Sequence, residues 1–157
     1  VRLGVISDTH GAIRTAERAI KQMGKVDLLV HLGDYYEDGM KLRERIGVPL
    51  IGVKGNCDFY REGEEEIIRE IEGHKIYMIH GHQYDVKRDL NRLYYRALEL
   101  GCNIVLYGHT HVPLRIAWGD VLIFNPGSIS QPRGGARSSY GLIDIYGPEI
   151  NGDIIEI

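Results

Sequence analysis

Short apolar runs alternate with helical periods through the front of this chain, and no other feature restricts the fold as much. Leu3–Ile6, Leu28–Leu32 and Leu50–Val53 are apolar runs of strand length. Between the first two, Ile13, Ala16, Ile20 and Met23 recur at helical spacing, and Gly24 stands where a helix C-cap belongs. Between the second and third, Met40, Leu42 and Ile46 mark a shorter helix closing at Gly47. Strand, helix, strand, helix, strand within about 55 residues predicts two βαβ units and a parallel sheet.

The middle of the chain changes character. Glu66–Ile71 and Lys75–Ile79 flank Glu72-Gly73 and read as a hairpin. Asp85 is placed to N-cap a helix whose Leu90, Leu93, Ala97 and Leu98 face inward and which ends at Gly101. Ile104–Tyr107 is another buried strand. The last third reads as antiparallel β: Leu114–Trp118, a Gly119-Asp120 turn, Val121–Phe124, then Gly141–Tyr146 and Asp153–Ile157. The expected architecture is α/β, a two-sheet β-sandwich flanked by helices, in one domain spanning residues 1–157. A chain of that length suffices, because ~150 residues bury roughly 68–70% of their unfolded surface.

Composition removes several functional classes. No run approaches the ~18 apolar residues of a membrane span, so no membrane partner is expected. Val1 leads into Leu3–Ile6 without a basic start or cleavage site, so no secretory leader is expected either. Two Cys make no disulfide framework and suggest a reducing, cytoplasmic setting. A net charge of −3, with an acidic edge at Glu62–Glu66, offers no broad basic face for duplex nucleic acid.

The polar residues at the strand ends carry the chemistry. Asp8 and His10 follow the first strand, Gly33-Asp34 the second, and Gly55-Asn56-Cys57-Asp58 the third. His80-Gly81-His82 closes the hairpin, and Gly108-His109-Thr110-His111 follows Ile104–Tyr107. Ligands of parallel α/β sheets bind at the carboxyl ends of the strands. Asp34 follows Asp8 by 26 residues and Asn56 follows Asp34 by 22, close to one strand-helix-strand repeat of ~30. Asp8, His10, Asp34, Asn56, His80, His109 and His111 are seven O and N donors. One metal takes about four to six ligands, so seven suffice for two ions if one carboxylate bridges. Asp34, central in the order, is the natural bridge. The near-absence of Cys argues against a structural zinc site, and mixed imidazole and carboxylate suits Mn, Fe, Zn or Ni. The i, i+2 spacings Asp8/His10 and His109/His111 bring both side chains to one face if the backbone stays extended.

This order of Asp-x-His, Gly-Asp, Gly-Asn, His-Gly and Gly-His-x-His resembles the calcineurin-like metallophosphoesterase superfamily over nearly the whole chain. The small size, the Gly55–Asp58 segment and Asn125-Pro126-Gly127-Ser128 resemble its compact prokaryotic YfcE-like phosphodiesterase branch. The resemblance implies α/β/β/α layers and two divalent ions, Mn first, with Ni, Fe or Zn as alternatives. It assigns Asp8, His10 and His111 to one ion, Asn56, His80 and His109 to the other, and Asp34 to both. Asp34, Asn56 and His80 are then the expected catalytic residues, and Asn56, Cys57 and His82 the expected substrate contacts. Cys57 stands where many members carry a His that protonates the leaving group, a departure shared by the compact branch. A thiol with an ordinary pKa of ~8.5 is a poor substitute for an imidazole acid. Asp58, which would orient that His, is left to fix the loop.

Other residues have quieter readings. His31 is a core or supporting residue, His74 solvated surface at a hairpin turn, and Cys102 a small core residue. Arg133 and Arg137 belong to a solvated loop, with phosphate contact as the alternative. Ten Tyr are compatible with a homo-oligomer interface at Tyr94, Tyr95 and Trp118.

The implied activity is hydrolysis of a small phosphodiester by a hydroxide held between two ions. The alternatives are a phosphomonoesterase, and a non-catalytic protein-binding scaffold like the retromer subunit of this fold. A scaffold need not keep all seven donors.

Overall fold

The computed structural model describes residues 1–59 and 62–157. Its first sheet contains β1 (Arg2–Ile6), β2 (Leu28–His31), β3 (Leu50–Gly52), β9 (Ser139–Tyr146) and β10 (Glu149–Glu156), in the order β10-β9-β1-β2-β3. Its second contains β4 (Glu66–Ile71), β5 (His74–Ile79), β6 (Ile104–Leu106), β7 (Leu114–Trp118) and β8 (Val121–Asn125), in the order β4-β5-β6-β8-β7. Helices α1 (Ile13–Met23), α2 (Tyr36–Arg45) and α3 (Asn91–Leu100) join them, with a 3₁₀ turn at His82–Tyr84.

The layers follow from period-two alternation. Leu3, Val5, Val30, Leu32 and Val53 of the first sheet face Ile76, Met78, Ile104, Leu106 and Phe124 of the second, forming the core between them. The opposite face of the first sheet, with Ile6, Leu29 and Leu50, is covered by Ala16, Ile20 and Met23 of α1 and Leu42 of α2. Tyr77, Ile79, Val105 and Ile123 of the second sheet pack under Leu93 and Ala97 of α3. The result is the expected α/β/β/α sandwich. No helix among the described residues is long and apolar enough to cross a membrane.

Four expectations need correction. The last third is not simply antiparallel: β8 pairs in parallel with β6, and only its β7 edge is antiparallel. Each sheet therefore holds three parallel strands, β1, β2 and β3 in one and β5, β6 and β8 in the other. Asp85 caps no helix. It sits at φ 50°, and α3 begins only at Asn91, whose N–H donates to Asp89 Oδ1 at 3.0 Å. Leu98 is 49% exposed, because the apolar stripe of α3 is filled by Leu93 and Ala97. His74 is buried, with Nε2–H donating to the Gly147 carbonyl at 2.6 Å and Nδ1 accepting from Asn103 at 2.7 Å.

Tyr94 and Trp118 stack on each other, 4.1 Å apart and 2° from parallel, which leaves Tyr95 as the exposed ring of that group.

Candidate metal centre

The six parallel strands of the two sheets end at one edge of the sandwich, and the polar residues that follow them meet there. Asp8, His10, Asp34 and His111 each offer one donor atom to a group lying within 4.8 Å of one another, and Asp34, His80 and His109 form a second such group. Asp34 belongs to both. Asn56 joins the second through its Oδ1, 3.1 Å from His80 Nε2. The seven donors read from the sequence thus converge, although they come from two different sheets.

The backbone reaches this arrangement by a route the sequence reading did not foresee. Asp8 (φ 52°), His10 (43°), Asp34 (55°), His109 (67°) and His111 (58°) are all left-handed rather than extended. Such conformations are uncommon outside glycine, though Asp and His tolerate them better than most residues, and they gather at functional sites. The paired side chains of Asp8/His10 and His109/His111 converge because the loops curl, not because they continue a strand.

Hydrogen bonds hold these loops. Asp8 N–H donates to the Gly33 carbonyl at 3.0 Å, and the Asp8 carbonyl accepts from Ser128 Oγ at 2.8 Å and Ser130 Oγ at 3.1 Å. Asp8 Oδ2 accepts from Ser7 Oγ at 2.5 Å and from His109 N–H at 3.1 Å. Asp34 Oδ1 accepts the backbone N–H of Cys57 at 2.9 Å. Asp58 accepts from Tyr36 N–H and Gly55 N–H, both at 2.8 Å, tying the Gly55–Asp58 segment to the start of α2. Asn125, at the end of β8, donates to the Gly108 carbonyl and to Thr110 Oγ1, both at 3.0 Å.

The donor chemistry fits a cation. A carbonyl oxygen only accepts, so His80 Nδ1 must donate to Leu32 O at 2.7 Å and His111 Nδ1 to Gln131 O at 2.6 Å. In the neutral rings this leaves the Nε2 lone pairs pointing into the site. His111 Nε2 then faces Asp8 Oδ1 at 3.0 Å, and His80 Nε2 faces Asp34 Oδ1 at 3.4 Å and His109 Nδ1 at 3.2 Å. Lone pairs repel at such distances unless a proton or cation lies among them. Asp8 Oδ1 and His10 Nε2 are buried atoms without any hydrogen-bond partner. Buried polar atoms left unpaired are costly, and ligation satisfies them.

The titration pattern has the same cause. Burial alone would raise the Asp8 carboxyl, but the surrounding His10, His111 and His80 rings and the Ser7 hydroxyl hold it well below the usual carboxylate range. Burial also opposes ionisation of Asp34, yet His80 and the Cys57 N–H bring it down to about 2. His80 is pushed upward by Asp34 and Asp8 in spite of its burial. His109 is pushed down to about 4 by burial and by the charges of His80 and Lys87.

A model of the calcineurin-like phosphoesterase superfamily domain matches residues 1–147. The chain belongs to this superfamily. The probable metallophosphoesterase YsnB of Bacillus subtilis is 34% identical over 142 residues, 90% of this chain and 82% of its own length. Phosphodiesterase YfcE of Escherichia coli is 29% identical over 170 residues, 92% of this chain and 88% of its own. A solved predicted phosphoesterase of Streptococcus pneumoniae matches with TM-score 0.85 at 36% identity, covering 99% of this chain and 88% of that one. Vps29 of Entamoeba histolytica, at TM-score 0.78 and 20% identity over 99% of this chain and 98% of its own, shares the fold. As a calcineurin-like phosphoesterase, the chain is a metal-dependent hydrolase of phosphoesters.

Around the phosphoesterase centre, the other residues singled out in the sequence take varied positions. Cys57 is exposed beside Asn56, and partial burial together with the Asp34 carboxylate pushes its thiol up to about 11. The His82 ring lies 5.5 Å from His80 and 6.0 Å from His109, and its buried Nδ1 has no partner. Arg137 pairs with Glu156 at 3.7 Å on the surface, whereas Arg133 borders a cleft next to the centre.

One supporting group escaped the sequence reading. Buried Asp38 accepts from Thr9 Oγ1 and from Gly11 N–H, both at 2.7 Å. His31 Nδ1 accepts the Gly33 N–H at 3.2 Å, so its Nε2–H donates to Thr9 Oγ1 at 3.0 Å. This buried chain ties the loop carrying Asp8 and His10 to the loop carrying Asp34. Nothing in the local sequence separates buried Asp38 from exposed Glu37 beside it on α2.

Proposed function

We propose that this phosphoesterase hydrolyses small phosphodiesters at a centre of two divalent cations, Mn²⁺ being the first candidate. The observation that carries the reading is the position of Asp34, which belongs to both donor groups at once. Asp8, His10 and His111 would hold one cation, Asn56, His80 and His109 the other, with Asp34 between them. Bound divalent cations would supply Lewis-acid polarisation of the phosphoryl oxygens and would lower the pKa of water to roughly 7.

The chain's own residues set the rest. Asp34, its carboxyl held low, stays ionised across the working range and never withdraws as a neutral acid. His80 and His111 are clamped through Nδ1, so each presents Nε2 without a rotational search. Asn56, exposed at the mouth, meets His80 through Oδ1, and its amide N–H group, now beside Cys57 Sγ, would be the donor available to a phosphate oxygen. Cys57 is a neutral thiol and donates a proton poorly, which favours diesters with good leaving groups. Diesters over monoesters is supported by the likeness to phosphodiesterase YfcE.

Metal analysis of the purified protein, joined to turnover of an aryl phosphodiester and its monoester with Mn²⁺, Ni²⁺, Mg²⁺ and Zn²⁺, tests this. The expected result is two equivalents of metal per chain and faster diester cleavage. Preference for the monoester would overturn the diester assignment, and one equivalent of metal the paired centre. Metal binding without turnover of either ester would favour a scaffold.

A further inference from the structure

Next to the metal centre lies a cleft of about 430 Å³, within the ~300–1,000 Å³ range of ligand sites. Val86, Leu90, Tyr107 and Leu114 give it an apolar wall. Lys87 and Arg133 border the same cleft, and neither has a carboxylate partner among the described residues. In a chain of net charge −3, two unpaired cations on one apolar cleft run against the average surface.

The cleft adjoins the centre. Thr110, part of its lining, stands between His109 and His111 and is held by Asn125. Arg133 N–H donates to the His111 carbonyl at 3.0 Å, so the loop that brings Arg133 to the cleft is the one whose Gln131 carbonyl orients the His111 ring. The wall thus borders the loop that carries His109 and His111, on the side where an ester arm of a bound phosphodiester could lie.

We propose that this cleft receives one ester arm of the substrate, and that the arm is an apolar or aromatic group carrying a second negative charge, a carboxylate or a further phosphate. The apolar wall removes the body of such an arm from water, while Lys87 and Arg133 meet its charged end. A glycerol arm gains little from the wall, and a choline-like arm is repelled by the two cations. The inference rests on the phosphodiesterase reading and narrows its substrate class.

The test uses the Mn²⁺-loaded protein and two phosphonates that cannot be hydrolysed, phenylphosphonate and 4-carboxyphenylphosphonate, titrated by calorimetry. Alongside, kcat/KM is measured for 4-nitrophenyl diesters whose second arm is phenyl, 4-carboxyphenyl or choline. The carboxylated phosphonate is expected to bind roughly tenfold more tightly than phenylphosphonate, as two exposed ion pairs allow. The diesters should rank carboxyphenyl, phenyl, choline. Replacing Lys87 and Arg133 by Ala together should bring the two phosphonate affinities to within about twofold. Arg137→Ala, which removes the same type of charge from the Glu156 pair, should leave the preference intact. Equal affinities in the unaltered protein, or equal loss of preference in Arg137→Ala, would overturn the subsite. A dimer dissociated by Val112→Asp would also overturn it, in favour of a second chain as occupant. Failure of every diester to turn over would instead overturn the parent reading, since the subsite concerns only the choice among diesters.

Discussion

Gly33 tests how the centre is held open. Its φ is 97°, and a Cβ there would lie 2.6 Å from the backbone nitrogen of Gly55 and 2.8 Å from His80 Nδ1. Placing an L-residue in left-handed backbone costs about 1–2 kcal/mol. The Gly55 contact involves main chain, so no rotamer change relieves it. The His80 ring would have to withdraw by about 0.6 Å to reach an ordinary 3.4 Å contact, and its 2.7 Å bond to Leu32 O would be lost or stretched. That adds ~0.5–1.5 kcal/mol, so Gly33→Ala is expected to cost about 1.5–3.5 kcal/mol before any shift of the Gly55 main chain is counted. Gly101→Ala is the control, because Gly101 has φ 68° and nothing within 4 Å of the added Cβ. It should cost only the strain, ~1–2 kcal/mol. Urea denaturation of both metal-free variants measures the difference. Calorimetric titration with Mn²⁺ should show affinity reduced at least tenfold in Gly33→Ala alone, since small displacements of positioned groups are expensive. If Gly33→Ala matches Gly101→Ala in stability and keeps its metal affinity, close backbone approach is not what positions His80.

Four further outcomes follow from the same geometry. Asp34→Asn should remove bound metal and activity together, measured by metal content and turnover; a metal-loaded, fully active variant refutes the shared-ligand assignment. Asp38→Asn keeps shape but weakens two charge-assisted bonds, so it should cost about 2 kcal/mol in denaturation and loosen metal at Asp8 and His10, while unchanged values would remove Asp38 as a positioning residue. His80 is raised in the metal-free protein, so a proton competes with metal as pH falls through its pKa. Apparent Mn²⁺ affinity should therefore drop from pH 7.5 to 5.5, by up to about tenfold per unit for one displaced proton, with His109 contributing nothing above pH 5 because it titrates at about 4; a flat profile contradicts this. Cys57→His should raise turnover of alkyl diesters relative to aryl ones by about ten- to hundredfold, and an unchanged ratio would place residue 57 outside proton transfer.

Much of the layering was legible because it depends on local periods. Leu3 and Val5 against Gly4 and Ile6, or Ala16, Ile20 and Met23 along α1, declare their faces within a few residues. The same holds for the donors, since Asp8, Asp34, Asn56, His80 and His109 each follow an apolar run, the last four directly beside glycine and Asp8 two residues before His10-Gly11. The errors arose where a local signal had several partners to choose from. Val121–Phe124 reads as a hairpin partner of Leu114–Trp118, and it is one, but the other edge of this strand pairs in parallel with β6. Asp85 has the side chain of an N-cap, yet the chain makes a further turn before α3 begins. His74 looks like turn surface until Gly147, from the other sheet, covers it.

The sequence by itself determined which residues bear the chemistry and that they stand at strand ends, because side-chain type and strand-helix spacing are properties of short segments. Only the tertiary structure decided that the strand ends of two separate sheets share one edge, that Asp34 lies between both sets of donors, and that the cleft with Lys87 and Arg133 opens beside them. Those facts depend on which strands pair and how the sheets stack, and pairing energies are collected between residues far apart in the chain. The left-handed turns at Asp8, His10, Asp34, His109 and His111 belong to the same class. Their strain is unfavourable locally and persists because hydrogen bonds from neighbouring loops, within the first sheet at Asp34 and across the two sheets between Asp8 and His109, hold them in place.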